Sequence, residues 1–153
     1  VGTDDVRLVL DFLNTVDYED HVDHLDTDAE WRAWLAERRL AVSDRAHARH
    51  VRDAMRAAMG DQGGQATFSV PVEVTLQAGI PTLTGQNAVS NVLAAATRLA
   101  LQGDWERVKI CPAHDCRWAF YDQSRNRSRT WCSMRVCGNR EKARAWRERA
   151  RST

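Results

Sequence analysis

No run of eighteen apolar residues occurs in this chain of 153 residues. Its most apolar segment, 88–101, is broken by Ser90, Asn91, Thr97 and Arg98, which excludes a membrane-spanning helix. Proline and glycine are scarce, at 3 and 8 residues, and no repeat or low-complexity tract is present. Collagenous, fibrous and disordered classes are thereby excluded, and the 43% hydrophobic and 28% charged composition is that of a folded protein. The opening Val1–Asp5 has neither a basic nor an apolar segment, so no secretory signal is expected and the thiols are expected to meet a reducing, cytoplasmic environment. A Gly-rich phosphate loop, a nucleophile elbow and an acid–base constellation are all missing, so no enzymatic activity is expected.

What is there is unevenly placed. The net charge of +1 conceals −7 over residues 1–104 and +8 over residues 105–153. Two readings follow: a basic third that faces a polyanion, or a basic third that docks on the acidic remainder.

All four cysteines lie in the basic third, as Cys111-x4-Cys116-x15-Cys132-x4-Cys137. Two close-spaced pairs joined by a loop suit one tetrahedral zinc, each pair forming a knuckle that presents two thiolates. Disulfides are the alternative, disfavoured in a reducing compartment. A closed shell of four thiolates leaves no open position for hydrolytic chemistry, so the expected ion is single and structural. A segment of about 45 residues buries too little apolar surface to fold unaided, and metal binding would supply the missing stability. Replacing Cys132 with Ser is accordingly expected to unfold the C-terminal third and spare the rest. His114, inside the first knuckle, is read as a bystander.

Arg125, Arg127 and Arg129 are spaced by two, so an extended chain would project all three from one side toward phosphates. After Cys137 the sequence reads as a helix on which Arg140, Arg144, Arg147 and Arg151 form one stripe, with Lys142 also basic, and Ala143, Trp146 and Ala150 form another. The Trp stripe is expected to pack inward and the arginines to face phosphates or base edges, with Arg140 or Arg144 as the base reader. Internal pairs such as Glu141–Arg144 are the plainer alternative. Trp118, Phe120 and Tyr121 are read first as finger core and second as stacking platforms for single-stranded RNA.

These residues resemble a known module. Cys111-x4-Cys116, Phe120-x-Asp122-x-Ser124-Arg125, Arg129-x-Trp131-Cys132-Ser133-Met134 and Cys137-Gly138-Asn139-Arg140-x-Lys142 look like the CGNR zinc finger of bacterial stress-induced transcription regulators. The opening Leu10-Asp11-Phe12-Leu13-Asn14-Thr15 and the later Trp34-Leu35 resemble its usual companion, the ABATE domain. The resemblance implies Cys111, Cys116, Cys132 and Cys137 as zinc ligands, a DNA-binding role, and a finger that resembles a treble clef.

Residues 1–104 read as mostly helical. Asp4 or Asp5 caps a helix carrying Val6, Val9, Leu10, Leu13 and Val16; Thr27 caps a second before Trp31, Trp34 and Leu35. Ser43 or Asp44 opens a third, ended by Gly60 and followed by a break at Gly63-Gly64. Val70–Leu76 and Ile80–Thr84 read as a hairpin of edge strands, and Asn87 caps a helix to Gln102. Asp104–Lys109 reads as a linker. His21 and His24, with Asp17, Asp20 and Asp23, read as a solvated loop, and Asp11 and Asn14 as paired buried groups or the wall of a small-ligand pocket.

The expected architecture is therefore α+β and mainly helical: an acidic domain over 1–104 with a hairpin near 70–84, then a four-cysteine finger over 105–153 ending in a basic helix. DNA is the expected partner, with RNA or an acidic protein partner as alternatives. A homodimer and a small-molecule effector are compatible with the sequence, and a membrane is not.

Overall fold

The computed structural model describes residues 3–62 and 67–152, so the break read at Gly63-Gly64 lies outside the described residues. Five α-helices and three two-stranded antiparallel sheets are present among them. They run α1 Thr3–Leu13, β1 Val16–Asp17, β2 Val22–Asp23, α2 Asp28–Glu37, α3 Arg45–Ala58, β3 Glu73–Gln77, β4 Ile80–Thr84, α4 Ala88–Leu101, β5 Val108–Ile110, β6 Ala119–Tyr121 and α5 Asn139–Arg151. No described helix is long and apolar enough to cross a membrane.

The helix starts follow from side chains that satisfy otherwise unpaired N–H groups. Thr27 accepts from the Glu30 amide at 3.2 Å and donates to the Glu30 carboxylate at 2.7 Å. Asp44 accepts from the His47 amide, and Asn87 forms a reciprocal pair with Ser90. Ser43, the other residue considered for the start of α3, serves α4 instead: its hydroxyl accepts from the Val89 amide and donates to Asn87.

The first helix is shorter than its apolar spacing suggests. It ends at Leu13, and Val16 enters β1, which pairs with β2 across Val16↔Asp23 and Asp17↔Val22. α1 packs on α4, where Arg98 grips Asp5 through two bonds of 2.9 and 2.6 Å. Phe12, Trp31 and Trp34 cluster in the core, the two indoles stacked at 5.1 Å, and the Trp31 Nε1–H donates to Ser43 O at 2.9 Å. The hairpin starts at Glu73 rather than Val70 and turns on Ala78-Gly79 alone, with φ of 49° and 81°. Positive φ at both central residues is the type I′ geometry that matches strand twist, and Gly79 accepts it without steric cost.

The segment read as a linker is structured. Trp105–Arg107 form a 3₁₀ turn, and Val108 opens β5. Val108 and Ala119, from the two strands of the cysteine-bearing region, belong to the same apolar core as α1–α4. The Asn14 side chain fastens that junction like an added strand residue, donating to Ala119 O at 2.9 Å and accepting from the Ala119 amide at 2.8 Å.

Candidate metal centre and basic surface

Each cysteine is placed by a separate local device. Cys111 directly follows β5, and its amide donates to Trp118 O at 2.8 Å, closing the first knuckle. Within it the amides of Cys116 and Arg117 both donate to Ala113 O, which forces Arg117 to φ 54°. Cys132 precedes, and Cys137 lies within, a π-helical turn, Met134–Gly138, in which Gly138 N–H reaches back to Ser133 O at 3.1 Å. That turn runs directly into α5.

The four Sγ atoms all lie within 4.8 Å of one another. Cys116 and Cys132 sulfurs are 3.5 Å apart, Cys132 and Cys137 sulfurs 3.6 Å, and all four thiols are free. A tetrahedron with metal–sulfur bonds of about 2.3 Å places its sulfurs roughly 3.8 Å apart, so the donor set fits one structural zinc. The protonation energetics point the same way. Burial pushes the Cys137 thiol up to about 12 and raises Cys132 as well. Burial also opposes ionisation of Cys111, but amide hydrogen bonds from Cys132 and Ala113 outweigh it and hold that thiol below its ordinary value. Four sulfurs so close cannot all ionise unless a cation shares their charge. When bound, the ion supplies cross-linking. The apolar jacket around it consists of Ala113, Phe120 and Trp131.

The Cys137-Gly138-Asn139-Arg140 tetrad has a physical reading at every position. Cys137 is a donor. A Cβ on Gly138 would lie 2.5 Å from Met134 Sδ and 3.1 Å from Trp131 Cδ1. Asn139 Nδ2 donates to Arg135 O at 3.1 Å. Arg140 bonds Asp115 in the first knuckle and lies 3.6 Å from Glu19 in the β1–β2 loop. It thus ties the start of α5 to both.

The arginine loop is not extended. Residues 124–127 form a bend, with Arg127 at φ 53°, so Arg125, Arg127 and Arg129 diverge. Arg125 is exposed and makes no side-chain bond among the described residues, and Arg127 lies 3.2 Å from Glu106. Arg129 turns back onto Trp131 O at 2.9 Å and onto Cys132 O, its guanidinium 5.0 Å from the Phe120 ring. It braces the second knuckle.

Fully buried Asp122 organises this loop: it accepts from Lys109 Nζ at 2.6 Å, the Ser124 amide at 2.8 Å and the Arg129 amide at 2.9 Å. Burial works against its charge, yet the Lys109 and Ser124 hydrogen bonds win and hold its carboxyl well below the ordinary range. Asp122→Asn replaces one amide acceptor with a donor group, and hydrogen exchange at Ser124 and Arg129 should quicken about tenfold or more. Unchanged exchange would show that the loop is held by other means.

On α5 no residue is buried, and Trp146 is 66% exposed, contrary to the expected inward packing of its stripe. The helix makes its main contact with the π turn, and Ala143, Trp146 and Ala150 all stay exposed. Arg144 shares Glu141 at 3.8 Å and Glu148 at 3.3 Å. Lys142, Arg147 and Arg151 are exposed and make no ion pair among the described residues. Phe120 is buried by the cluster, Tyr121 is half-buried against the helical core, and Trp118 is 38% exposed.

Asp11 and Asn14 do not share a cavity. Asp11 pairs with Arg38 at 3.2 Å on the wall of a 270 Å³ hollow, while Asn14 holds Ala119. The loop read as solvated is so only in part: His21 and His24 are exposed, but Asp23 is bound by Arg52 through two bonds of 2.6 and 3.0 Å. Sequence reasoning passed over two buried ion-pair groups centred on α3, one with Asp23 and one with Asp61. Arg52 and Arg56 of α3 are both 2% exposed. Arg56 donates to Asp61, to Leu13 O and to Arg117 O, and Asp61 also accepts from Arg117 at 2.6 Å. Arg117 in turn lies 3.6 Å over the Tyr18 ring. The available signal was the arginine spacing at 45, 49, 52 and 56 on one helix, opposite a run of aspartates.

A family model described as “Putative stress-induced transcription regulator”, ABATE, matches residues 6–117, well over half of the chain. The chain belongs to the ABATE family. The CGNR zinc finger model matches residues 107–150. The ABATE and finger matches overlap on β5 and the first knuckle, the segment whose Val108 lies in the helical core and whose Cys111 lies in the sulfur cluster. No curated protein matches this ABATE chain.

Proposed function

We propose that this ABATE protein binds duplex DNA through its finger, over residues 105–153, with α5 as the contacting element. The observation that carries the reading is a basic helix with no buried residue, rooted in the cysteine cluster. Its protruding cations are Lys142, Arg144, Arg147 and Arg151, with Arg125 on the neighbouring loop. The pairs made by Arg144 are exposed and of little net worth, so phosphates can displace Glu141 and Glu148. Arg140, tied to Asp115 and Glu19, sets the direction of the helix, which leaves Arg144 as the better candidate for a bidentate contact to guanine. Arg127 and Arg129 support the loop rather than reach outward. Transcriptional regulation would follow from occupancy of a DNA site, with residues 1–104 as the rigid body that carries the finger.

Fluorescence anisotropy with a random-sequence duplex tests this. Binding should weaken steeply between about 50 and 200 mM salt. Joint replacement of Arg144, Arg147 and Arg151 with Ala should lower affinity more than tenfold and flatten the log–log salt slope by roughly 2–3, with about one zinc per chain retained. Salt-insensitive binding, or an unchanged slope in the triple variant, would overturn the reading. Preference for single-stranded RNA over duplex DNA would move it to the RNA alternative.

A further inference from the structure

The β3–β4 hairpin exposes apolar side chains on the face that carries Val74 and Leu76. Residues opposite one another share a face, so Val74 and Leu76 lie with Leu83 and Pro81, while Thr75 lies with Thr82 on the other side. A one-sided sheet turns apolar side chains inward and polar ones to water. Here Val74 and Leu76 are 71% and 73% exposed while Thr75 and Thr82 are half-buried; Leu83 is half-buried as well, and on the Thr75 side Ile80, beside the turn, is 66% exposed. Val72, just before the strand, adds to the outward face at 36% exposure. An isolated two-stranded hairpin is marginal in water. This one is anchored through β4, which rests on α4 and receives Arg98 Nη1 at Leu83 O. β3 has no other strand beside it among the described residues.

We infer that this face is a homodimer interface, covered by the same face of a second copy. A twofold axis brings a patch onto itself. Val72, Val74, Leu76, Pro81 and Leu83 carry no charge, so their self-contact buries no unpaired ion. The same lack of charge gives a nucleic acid or a charged protein segment nothing to grip. Pro81 blunts the outer edge of β4, where Arg98 also binds Leu83 O, so strand addition there does not compete with contact through the face. A two-residue turn closes on a hydrogen-bonded pair, Gln77–Ile80, so the next pair, Leu76–Pro81, points its backbone groups outward, where proline has no N–H to donate. Strands cannot add indefinitely along that edge. The apolar face amounts to on the order of 400 Å² per copy, about half of what a standard stable interface buries, so the expected dimer is a weak, reversible one. The inference rests on the hairpin alone and not on DNA binding.

Sedimentation equilibrium of the full zinc-loaded chain, without nucleic acid, is the test. The apparent mass should double from low to high micromolar concentration. Leu76→Lys and Val74→Lys, at exposed positions, should stay monomeric throughout with the parent's circular dichroism and melting temperature, a weakening of tenfold or more. Gln77→Lys, on the opposite face, should dimerise like the parent. A parent that remains monomeric or grows beyond two copies, or a properly folded Leu76→Lys that dimerises like the parent, would overturn the interface. Either result leaves the DNA measurement above independent.

Discussion

Replacing Cys132 with Ser should strip zinc from the full chain and lower its melting temperature by about 15 °C or more. Structural zinc contributes apparent binding free energies of ~10–16 kcal/mol in small fingers, and loss of even ~5 kcal/mol in a chain of this size shifts melting by about 10–20 °C. The loss should not stay within the C-terminal third, as the small size of the cysteine-bearing segment alone suggested. Val108 and Ala119 sit in the core shared with α1 and α4, Asn14 pairs with the backbone of Ala119, and Asp61 holds Arg117 beside the ligand Cys116. Calorimetry with metal analysis should therefore show one transition moving down rather than a small early transition followed by the original one. A zinc-free variant whose main transition stays at the parent temperature would mean that the helical body and the finger unfold independently.

Most of the fold was legible in the sequence where local chemistry decides. Thr27, Asp44 and Asn87 cap the helices that follow them. The cysteine spacing anticipated a cluster that the geometry closes. What escaped was whatever long-range contacts decide. Nothing in the spacing of Arg125, Arg127 and Arg129 announced that buried Asp122 would fold the loop on itself and turn Arg129 inward. Helical periodicity placed Trp146 on a stripe, but periodicity says only that a stripe exists, and this one stays exposed. Asn14 was legible as a hydrogen-bonded amide, but it is half-buried and its partner lies 105 residues away on β6. The arginines of α3 were the largest omission. Buried guanidinium groups run against every hydropathy pattern, and only tertiary pairing with Asp23 and Asp61 makes them tolerable.

Asp61→Asn should be the most damaging single change outside the cysteines. The Asp61 side chain is 3% exposed and divides its two oxygens between Arg56 at 2.7 Å and Arg117 at 2.6 Å. Neutralising it strands two guanidinium groups, one of them buried against Leu13 O and Arg117 O. Breaking a buried pair from one side costs ~3–5 kcal/mol, or about 6–20 °C of melting temperature here. Burial opposes the charge of Asp61, but the Arg117 hydrogen bond and the nearby Arg56 charge outweigh it and lower its pKa. A carboxylate so shifted stabilises fully above its unfolded pKa and ceases to as pH falls through the lower folded value. The gap between parent and Asp61→Asn should therefore be constant from neutrality to about pH 5 and narrow only below about pH 4. Arg117, set at φ 54° directly after Cys116, should also loosen, so a chelator should extract zinc from the variant faster than from the parent. If Asp61→Asn melts with the parent and holds zinc equally well, Tyr18 and the surrounding carbonyls suffice to seat Arg117. The first knuckle then depends on α3 through packing alone.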